Sequence, residues 1–183
     1  IGSIPIGIVG LLFKDTIETT LRNLYFVGGA LILWSFVMLY ADRTAKLNRG
    51  EDEVTRKDTI IIGIIQCLAL IPGVSRSGAT MSAGLLRGLD RVTVTRLSFF
   101  LAMPALTAAT ILQIASEHEN IGAGVGWPAT ITATLVSFVV AYAAVAWLLR
   151  FIAGHTYSIF IGYRLVLGAL VLILVATGTV AAT

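Results

Sequence analysis

Four side chains in the middle of this chain have the chemistry of a phosphate-binding site. Three carry hydroxyls and one carries a guanidinium, and they fall within six consecutive positions: Ser75, Arg76, Ser77 and Thr80. A guanidinium among hydroxyls and free backbone N–H groups suits a phosphate, because these donors match its oxygens. They connect two apolar runs, residues 60–71 and 78–89, each about 18 Å long if helical and too short to cross a bilayer. This pattern predicts a helix-loop-helix that enters a membrane and turns back.

The connection contains residues that end one helix and begin another. Pro72 cannot continue a helix with a normal backbone bond, and Gly73 lets the chain turn, so the first arm is predicted to end there. Either Ser75 or Ser77 can cap the second arm, whose N-terminal amides carry a partial positive charge. A diphosphate would therefore meet a full cation, a helix N-terminus and several hydroxyl donors. The phosphate site is predicted in this hairpin, residues 60–89.

Each of these side chains also has a purely structural interpretation. Arg76 could pair with a carboxylate or with carbonyls at a helix end, although a charge inside a membrane is costly and is seldom without function. The serines could be simple helix caps. Gln66, in the first arm, is more easily explained by a hydrogen bond between helices than by a ligand. Arg164, a turn or two into the last apolar segment, could snorkel or pair, and it is not predicted to be catalytic.

The composition indicates a membrane protein. Hydrophobic residues make up 57% of the 183 positions and charged residues 13%, whereas soluble domains carry about 25% charged residues. The mean hydropathy is +0.91, and a soluble fold of this size could not bury so much apolar surface. The formal net charge of +3 is too small to argue for a nucleic-acid partner. Cys67 has no second cysteine in the sequence, so no intrachain disulfide can form.

Four apolar segments are long enough to span a bilayer: residues 24–41, 97–115, 128–149 and 158–180. The sequence opens inside another apolar run, residues 1–13, which has neither a basic flank nor a cleavage site and is therefore not a signal peptide. We interpret that run as the far end of a membrane helix, and we expect a preceding part of the native protein to be absent. The predicted fold class is an all-α polytopic membrane protein, with residues 1–183 as one integral membrane domain.

Basic residues are divided unequally between the two predicted sides of the membrane. The polar loop 42–58 carries five of them, whereas the opposite side has Lys14 and Arg22. If the hairpin returns to the side it left, four more join the loop: Arg87, Arg91, Arg96 and Arg150. By the positive-inside rule the loop side is cytoplasmic, so the hairpin tip points from mid-membrane towards the extracytoplasmic face. Two complete crossings would give the same distribution, and the shortness of the arms is what favours re-entry.

The stretch from Gln66 to Thr80, with PGVSRSGAT at its centre, resembles the undecaprenyl-diphosphatase family, also known as the bacitracin-resistance family. RLSFFLAMPA at 96–105 and the pair Tyr163 and Arg164 are also similar to that family, and the similarity runs through the entire chain. The resemblance implies hydrolysis of undecaprenyl diphosphate, released by cell-wall polymer synthesis, to the monophosphate carrier. It also implies a protein of the bacterial inner membrane built as an inverted repeat, of which this chain holds one half. Two re-entrant hairpins would then meet at a site open to the extracytoplasmic side.

The resemblance assigns roles only to matching positions. Arg76 takes the family's role of binding and neutralising the diphosphate, and Ser75 is the second candidate catalytic residue. The expected substrate contacts around them are Ser77, Thr80, Gly73, Gly78 and Gln66. The family's other hairpin supplies a glutamate-rich motif, a catalytic serine and a histidine, and it belongs to the amino-terminal part that this chain lacks. Ligands for a divalent cation, Mg²⁺ or Ca²⁺, are therefore expected from outside this chain, which is expected to be inactive alone. A homodimer remains open.

Two other functions compete with hydrolysis. A lipid-phosphate flippase or anion carrier could use the same hairpin, because broken helices that present N-termini to anionic substrates are found in carriers. Release of phosphate from a solubilised lipid diphosphate would exclude a pure carrier. A lipid phosphatase of the phosphatidate-phosphatase type is disfavoured, because its paired histidine motifs are not found here. The predicted partners are a polyprenyl diphosphate lipid and the membrane itself.

Overall fold

The computed structural model describes residues 1–13, 23–124 and 126–182, without the side chains of 118–123. Lys14 and Arg22, which entered the orientation argument, lie outside the described residues. Seven α-helices and no β-strand occur in these ranges. The helices are α1 (Ile4–Leu12), α2 (Leu24–Thr44), α3 (Arg56–Gln66), α4 (Arg76–Leu86), α5 (Arg91–Ala123), α6 (Trp127–Gly154) and α7 (Ser158–Ala176).

Among the described residues, four helices are long and apolar enough to cross a membrane: α2, α6, α7 and the Arg91–Glu117 part of α5. The four predicted spans fall in these helices, which confirms an all-α polytopic membrane protein. α5 is longer than predicted, because the helix continues into a polar segment and ends at Ala123. α7 is shorter and ends at Ala176, shortly before Gly178 turns the chain with a φ of 71°.

Close helix packing in this fold depends on glycine. α2 packs most extensively against α7, and a Cβ atom added at Gly28 would lie 2.7 Å from Cγ of Leu172. A Cβ atom added at Gly168 would lie 3.1 Å from the carbonyl oxygen of Gly28. Gly84 of α4 faces Val94 of α5 in the same way. Small residues let backbones approach where lipid offers no hydrophobic driving force between helices.

A buried carboxylate fixes the outer ends of α3 and α4. Asp58 has a side chain that is 0% exposed, and its oxygens accept hydrogen bonds from Arg49 Nη2 at 2.5 Å and from Arg87 Nε at 2.8 Å. Asp58 also accepts a bond from the backbone N–H of Thr55, whose hydroxyl oxygen accepts one from the backbone N–H of Asp58, and this pair caps α3. The hydrogen bond from Arg49 holds the pKa of Asp58 well below its usual range. Asp58, Arg49 and Arg87 form what is named here the Asp58 cluster.

A second carboxylate joins α2 to the starts of α5 and α7. Asp42 accepts hydrogen bonds from Arg91 Nε at 2.7 Å and from the backbone N–H of Tyr157 at 3.2 Å. The hydroxyls of Tyr157 and Thr95 lie 2.7 Å apart, and burial raises the pKa of Tyr157. Three membrane-spanning helices are therefore tied together at the end of the fold where α3 begins and α4 ends.

α3 and α4 form a hairpin whose arms return to the same end of the fold. Their outer ends meet at the Asp58 cluster, whereas the turn between them lies deep along α2. Gly73 approaches α2 so closely that an added Cβ would lie 3.0 Å from Cβ of Ala30 and would strike the carbonyl oxygen of Val27. Val27 precedes Asp42 by fifteen positions, which corresponds to about 22 Å of α-helix. The hairpin therefore has the geometry of a re-entrant element. That it holds the phosphate site, and that the chain is one half of an inverted repeat, stay predictions.

Candidate functional site

The turn between α3 and α4 is built from residues that cannot extend a helix. A 3-10 turn, Cys67–Leu70, ends the first arm, and Pro72 lacks the N–H that a further helical turn would need. Gly73 then adopts a φ of 99°, a left-handed conformation that is readily available to glycine and that a side chain would strain. The break predicted at Pro72 and Gly73 is confirmed.

Ser75 caps α4 and has a strained backbone. Its Oγ accepts a hydrogen bond from the backbone N–H of Gly78 at 3.2 Å and lies 3.2 Å from Oγ of Ser77. Its φ of 73° is in the left-handed region, which costs a non-glycine residue about 1–3 kcal/mol and persists only where the surrounding structure holds it. Of the two serines that could cap the second arm, Ser75 is the one that does so.

A cavity of about 260 Å³ lies beside the N-terminus of α4. The hairpin contributes Ser75, Ser77 and Gly78 to its wall, and α7 contributes Arg164. The other side chains of the wall are mostly apolar: Met38, Met81, Leu148, Tyr157, Phe160 and Tyr163. The structure therefore brings three of the predicted phosphate contacts together. Hydroxyls and a guanidinium that share a mostly apolar chamber suit a ligand with a polar head and an apolar body.

Arg76 has a guanidinium that is available to a ligand. The residue lies in the first turn of α4 and is partly exposed. Its side chain makes no hydrogen bond or ion pair within the part of the chain that the structure describes, so the structural alternative considered for Arg76 is not observed there. It does not form part of the cavity wall. Arg76 lies in the chain between Ser75 and Ser77, which do line the cavity.

Arg164 makes the kind of interaction that was considered for Arg76. From α7 its Nη2 donates to the carbonyl oxygens of Gly73 at 2.7 Å and Val74 at 3.1 Å, and its Nε donates to Ser35 Oγ at 3.3 Å. The sequence had suggested pairing as one option for Arg164 but gave it no place at the site. The signal that could have identified it is a cation in an otherwise apolar span, which is costly without partners.

Two predicted phosphate contacts are buried in the helix packing. Thr80 is 1% exposed, and its hydroxyl lies 3.0 Å from the carbonyl oxygen of Arg76 and 3.1 Å from that of Ser77, to which it donates within α4. Gln66 is 1% exposed, and its amide oxygen has no hydrogen-bond partner in the described ranges. Neither side chain lines the cavity. Their contacts with phosphate stay predictions.

Two further buried polar atoms near the hairpin have no counterpart in the sequence reasoning. Ser82 Oγ of α4 and Trp34 Nε1 of α2 lack hydrogen-bond partners among the described residues. Trp34 packs against the start of α4: a Cβ atom added at Gly78 would lie 3.4 Å from Cδ1 of Trp34. An unpaired polar atom inside a membrane protein is unfavourable. No pattern in the sequence distinguishes these two positions from ordinary helix-packing residues.

The described residues do not fit a metal ion. They contain no group of three or more histidine, cysteine, aspartate or glutamate side chains that could hold one. Asp42 and Asp58 are engaged by arginines at the outer end of the hairpin, away from the tip. Mg²⁺ and Ca²⁺ need several oxygen ligands, so the expectation that such ligands come from outside this chain stays a prediction.

Comparison with known proteins gives a match over nearly the whole chain. The family described as "Bacitracin resistance protein BacA" matches residues 1–170. "Undecaprenyl-diphosphatase 3" of Frankia casuarinae is 71% identical over 183 residues, which is 100% of this chain and 66% of that protein. Proteins named "Undecaprenyl-diphosphatase" from Cutibacterium acnes and Mycolicibacterium gilvum are 50% and 48% identical to the whole chain, which covers 66% and 67% of their lengths. The chain thus spans about two thirds of the length of these curated relatives.

Proposed function

Because the chain belongs to the BacA family of bacitracin resistance proteins, we propose that it is part of an enzyme that hydrolyses undecaprenyl diphosphate. The products are undecaprenyl phosphate and inorganic phosphate, so the reaction returns a lipid carrier to cell-wall synthesis. The proposal is supported by relatives that are 48% to 71% identical and carry the name undecaprenyl-diphosphatase. Within that enzyme, this chain supplies a hairpin that binds the phosphates.

The observation that carries the proposal is the position of the tip formed by Ser75, Arg76 and Ser77. These residues lie at the N-terminus of α4, between Gly73, which approaches α2 at Val27, and Gly78, which approaches it at Met38. These two positions of α2 are about 22 Å and about 6 Å of helix from Asp42. The guanidinium has no carboxylate partner among the described side chains. A cation and a helix N-terminus at membrane depth are unfavourable unless an anion binds there. A lipid diphosphate brings that anion while its apolar chain stays in the bilayer.

The proposed reaction breaks the bond between the terminal phosphorus and the bridging oxygen, and an oxygen from water ends on that phosphorus. Charge is spread over the phosphoryl oxygens in the transition state, so positioning and neutralisation supply most of the catalysis. Arg76 neutralises this charge, and the first amides of α4 add preorganised dipoles. The nucleophile, whether water or a hydroxyl, needs a base from outside the described hairpin, because Ser75 Oγ makes hydrogen bonds within the described ranges only with the N–H of Gly78 and the hydroxyl of Ser77.

We place the tip towards the extracytoplasmic side of the bacterial inner membrane. The proposal is supported by Arg49, Arg87 and Arg91, which lie together at the opposite end of the hairpin and of α2. Basic residues collect on the cytoplasmic side of membrane proteins. A divalent cation bound by residues outside this chain would supply further neutralisation of the phosphates.

The test uses a complete protein made by joining this chain to the part of the Frankia relative that has no counterpart in it. The purified chimera is incubated in detergent with undecaprenyl diphosphate, and the release of phosphate is measured. We expect release that Arg76→Ala lowers about 100- to 1,000-fold and that Arg150→Ala retains. Arg150 is a matched control, because it is an exposed arginine that makes no contact by hydrogen bond or ion pair within the described ranges.

Two outcomes would contradict the proposal. A folded chimera that releases no phosphate is not a diphosphatase. If the same chimera, reconstituted in vesicles, moves a polyprenyl phosphate between leaflets without releasing phosphate, the carrier alternative is supported instead. Both measurements use one preparation, so a difference in folding cannot explain a difference between them.

A further inference from the structure

We propose that Arg164 is a positioning residue, which holds the hairpin turn in the geometry that the phosphate site requires. The reaction that Arg164 would serve is the one in the proposed function, and to that extent the inference rests on it. The contacts of Arg164 with the turn are independent of that proposal. Arg164 is separated from Gly73 by 91 positions and from Ser35 by 129, so only the tertiary structure brings these residues together.

The side chain of Arg164 joins three elements of the fold. Nη2 donates to two successive carbonyl oxygens of the turn, those of Gly73 at 2.7 Å and Val74 at 3.1 Å. Nε donates at 3.3 Å to Ser35 Oγ, which itself donates to the carbonyl oxygen of Leu31 at 2.6 Å. Ser35 is completely buried. The guanidinium therefore connects the turn of the hairpin, through Ser35, to the part of α2 against which the turn packs.

The turn needs hydrogen-bond donors from elsewhere in the fold, because its backbone is strained and two of its carbonyl oxygens accept no backbone hydrogen bond. Gly73 and Ser75 have φ values of 99° and 73°, and Ser75 keeps this conformation only if its surroundings enforce it. The carbonyls of Gly73 and Val74 accept no backbone hydrogen bond among the described residues, and a buried carbonyl without a donor is costly. Arg164 satisfies both carbonyls at once. The residue that follows them is Ser75, which caps α4 and lines the cavity.

Two other roles fit these contacts less well. A snorkelling arginine extends its head to the membrane surface, whereas the head of Arg164 is directed at the turn. A direct phosphate ligand would present several donors to the cavity, but Nη2 and Nε of Arg164 are already engaged with protein oxygens. Arg76, in contrast, has no protein partner among the described residues. The contacts of Arg164 thus assign it support of the turn, and among the described residues they leave only Nη1 of its guanidinium without a hydrogen-bond partner.

The kinetic test uses the chimera with Arg164→Lys. Lysine keeps the charge but not the planar fork that reaches two carbonyls and a hydroxyl together. We expect kcat for undecaprenyl diphosphate to fall about 10- to 100-fold, because a displacement of about 1 Å at a catalytic group has effects of this size. KM should change less than about threefold, because the groups that bind substrate remain. Arg150→Lys is the matched control. Ser35→Ala removes the acceptor of Nε and the hydrogen bond to Leu31 but keeps both bonds from Nη2 to the turn, so it should lower kcat less than Arg164→Lys.

A second measurement follows the turn itself and does not depend on turnover. Hydrogen exchange of the segment 71–78 should be faster in Arg164→Lys and in Arg164→Gln than in the parent chimera or in Arg150→Gln. Unchanged kcat together with unchanged exchange overturns the inference. A raised KM at constant kcat also overturns it, because Arg164 would then bind substrate directly.

If the parent chimera releases no phosphate, the proposed function fails, and exchange alone still decides whether Arg164 holds the turn. If Arg164→Gln does not fold, the lysine and Ser35→Ala variants decide.

Discussion

The two ends of the α3–α4 hairpin use arginine in opposite ways. At the outer end, Arg49 and Arg87 both bind the buried carboxylate of Asp58, so each guanidinium has a carboxylate partner in the fold. At the tip, Arg76 has no partner among the described residues, and Arg164 binds only neutral carbonyls and a hydroxyl. The arginines of the outer end are thus paired with a carboxylate, whereas the two arginines of the tip have no described counter-ion.

This difference separates support from binding. A guanidinium that is paired with a carboxylate attracts a further anion less strongly. Replacing such an arginine lowers the stability of the folded state. A guanidinium without a counter-ion at membrane depth is unfavourable in the empty protein, and binding of an anion relieves that cost. Arginines of the outer end should therefore affect stability, and Arg76 should affect turnover.

Arg76→Ala should cause the largest change in turnover. The loss of one charge-stabilising donor at a reacting oxyanion lowers kcat by about 100- to 1,000-fold, and we expect this range for phosphate release by the chimera. The free energy of unfolding should change by less than about 0.5 kcal/mol, because the truncation breaks no hydrogen bond or ion pair within the described ranges. Both are measured on the same detergent preparation, by phosphate release and by thermal unfolding.

Arg76→Lys is the informative companion to that variant. It keeps the charge but removes the planar pair of donors, so its turnover should lie between those of the parent and of Arg76→Ala. Near-normal turnover by a folded Arg76→Ala protein would remove this residue from the site and would contradict the assignment of ligand binding to the tip.

Asp58→Asn should cause the largest loss of stability. Removing the charge of a buried partner leaves Arg49 and Arg87 uncompensated, and such losses are about 3–5 kcal/mol when all groups are buried. The two guanidiniums are 22% and 34% exposed, so we expect a smaller loss of about 2–3 kcal/mol. The measurement is thermal or denaturant unfolding in detergent. An unchanged midpoint would show that the outer end is not stabilised by this carboxylate.

The pH dependence of that loss has a defined sign. The pKa of Asp58 is lowered by the hydrogen bond from Arg49, so its contribution is complete above the ordinary aspartate pKa of about 3.9 and is lost as pH falls through the folded-state pKa. The difference in unfolding midpoint between the parent and Asp58→Asn should therefore be constant near neutral pH and shrink below about pH 4. A difference that grows on acidification would contradict the assignment.

The sequence predicted the parts of this fold that depend on neighbouring residues. Apolar length located the four spans, and Pro72 with Gly73 located the break, because helix formation and termination are local. The role of Arg164 was missed, since its partners lie 90 and 91 positions away and no local pattern encodes them. The burial of Thr80 was missed for a related reason. A hydroxyl in the first turn can face a ligand or its own helix, and packing against neighbouring helices decides which.

Ser75→Ala tests a smaller effect at the tip. Loss of the capping hydroxyl should destabilise the protein by about 1 kcal/mol. Ser75→Gly loses the same cap but relieves the positive φ of 73°, so it should be less destabilising than alanine. Thermal unfolding of the two variants makes this comparison. An equal loss in both would mean that the backbone of Ser75 stores no strain.

Glu51→Gln should have the smallest effect, although it also removes an ion pair with an arginine. Glu51 Oε2 lies 2.6 Å from Nη1 of Arg96, but the two side chains are 52% and 49% exposed. Exposed pairs contribute about 0–1 kcal/mol and are screened by salt, so we expect a change in unfolding free energy within about 0.5 kcal/mol. The measurement repeats the Asp58→Asn experiment at low and high salt. If Glu51→Gln were as destabilising as Asp58→Asn, burial would not distinguish the pairs, and the stability of the outer end would follow from the number of ion pairs instead of from one enclosed carboxylate.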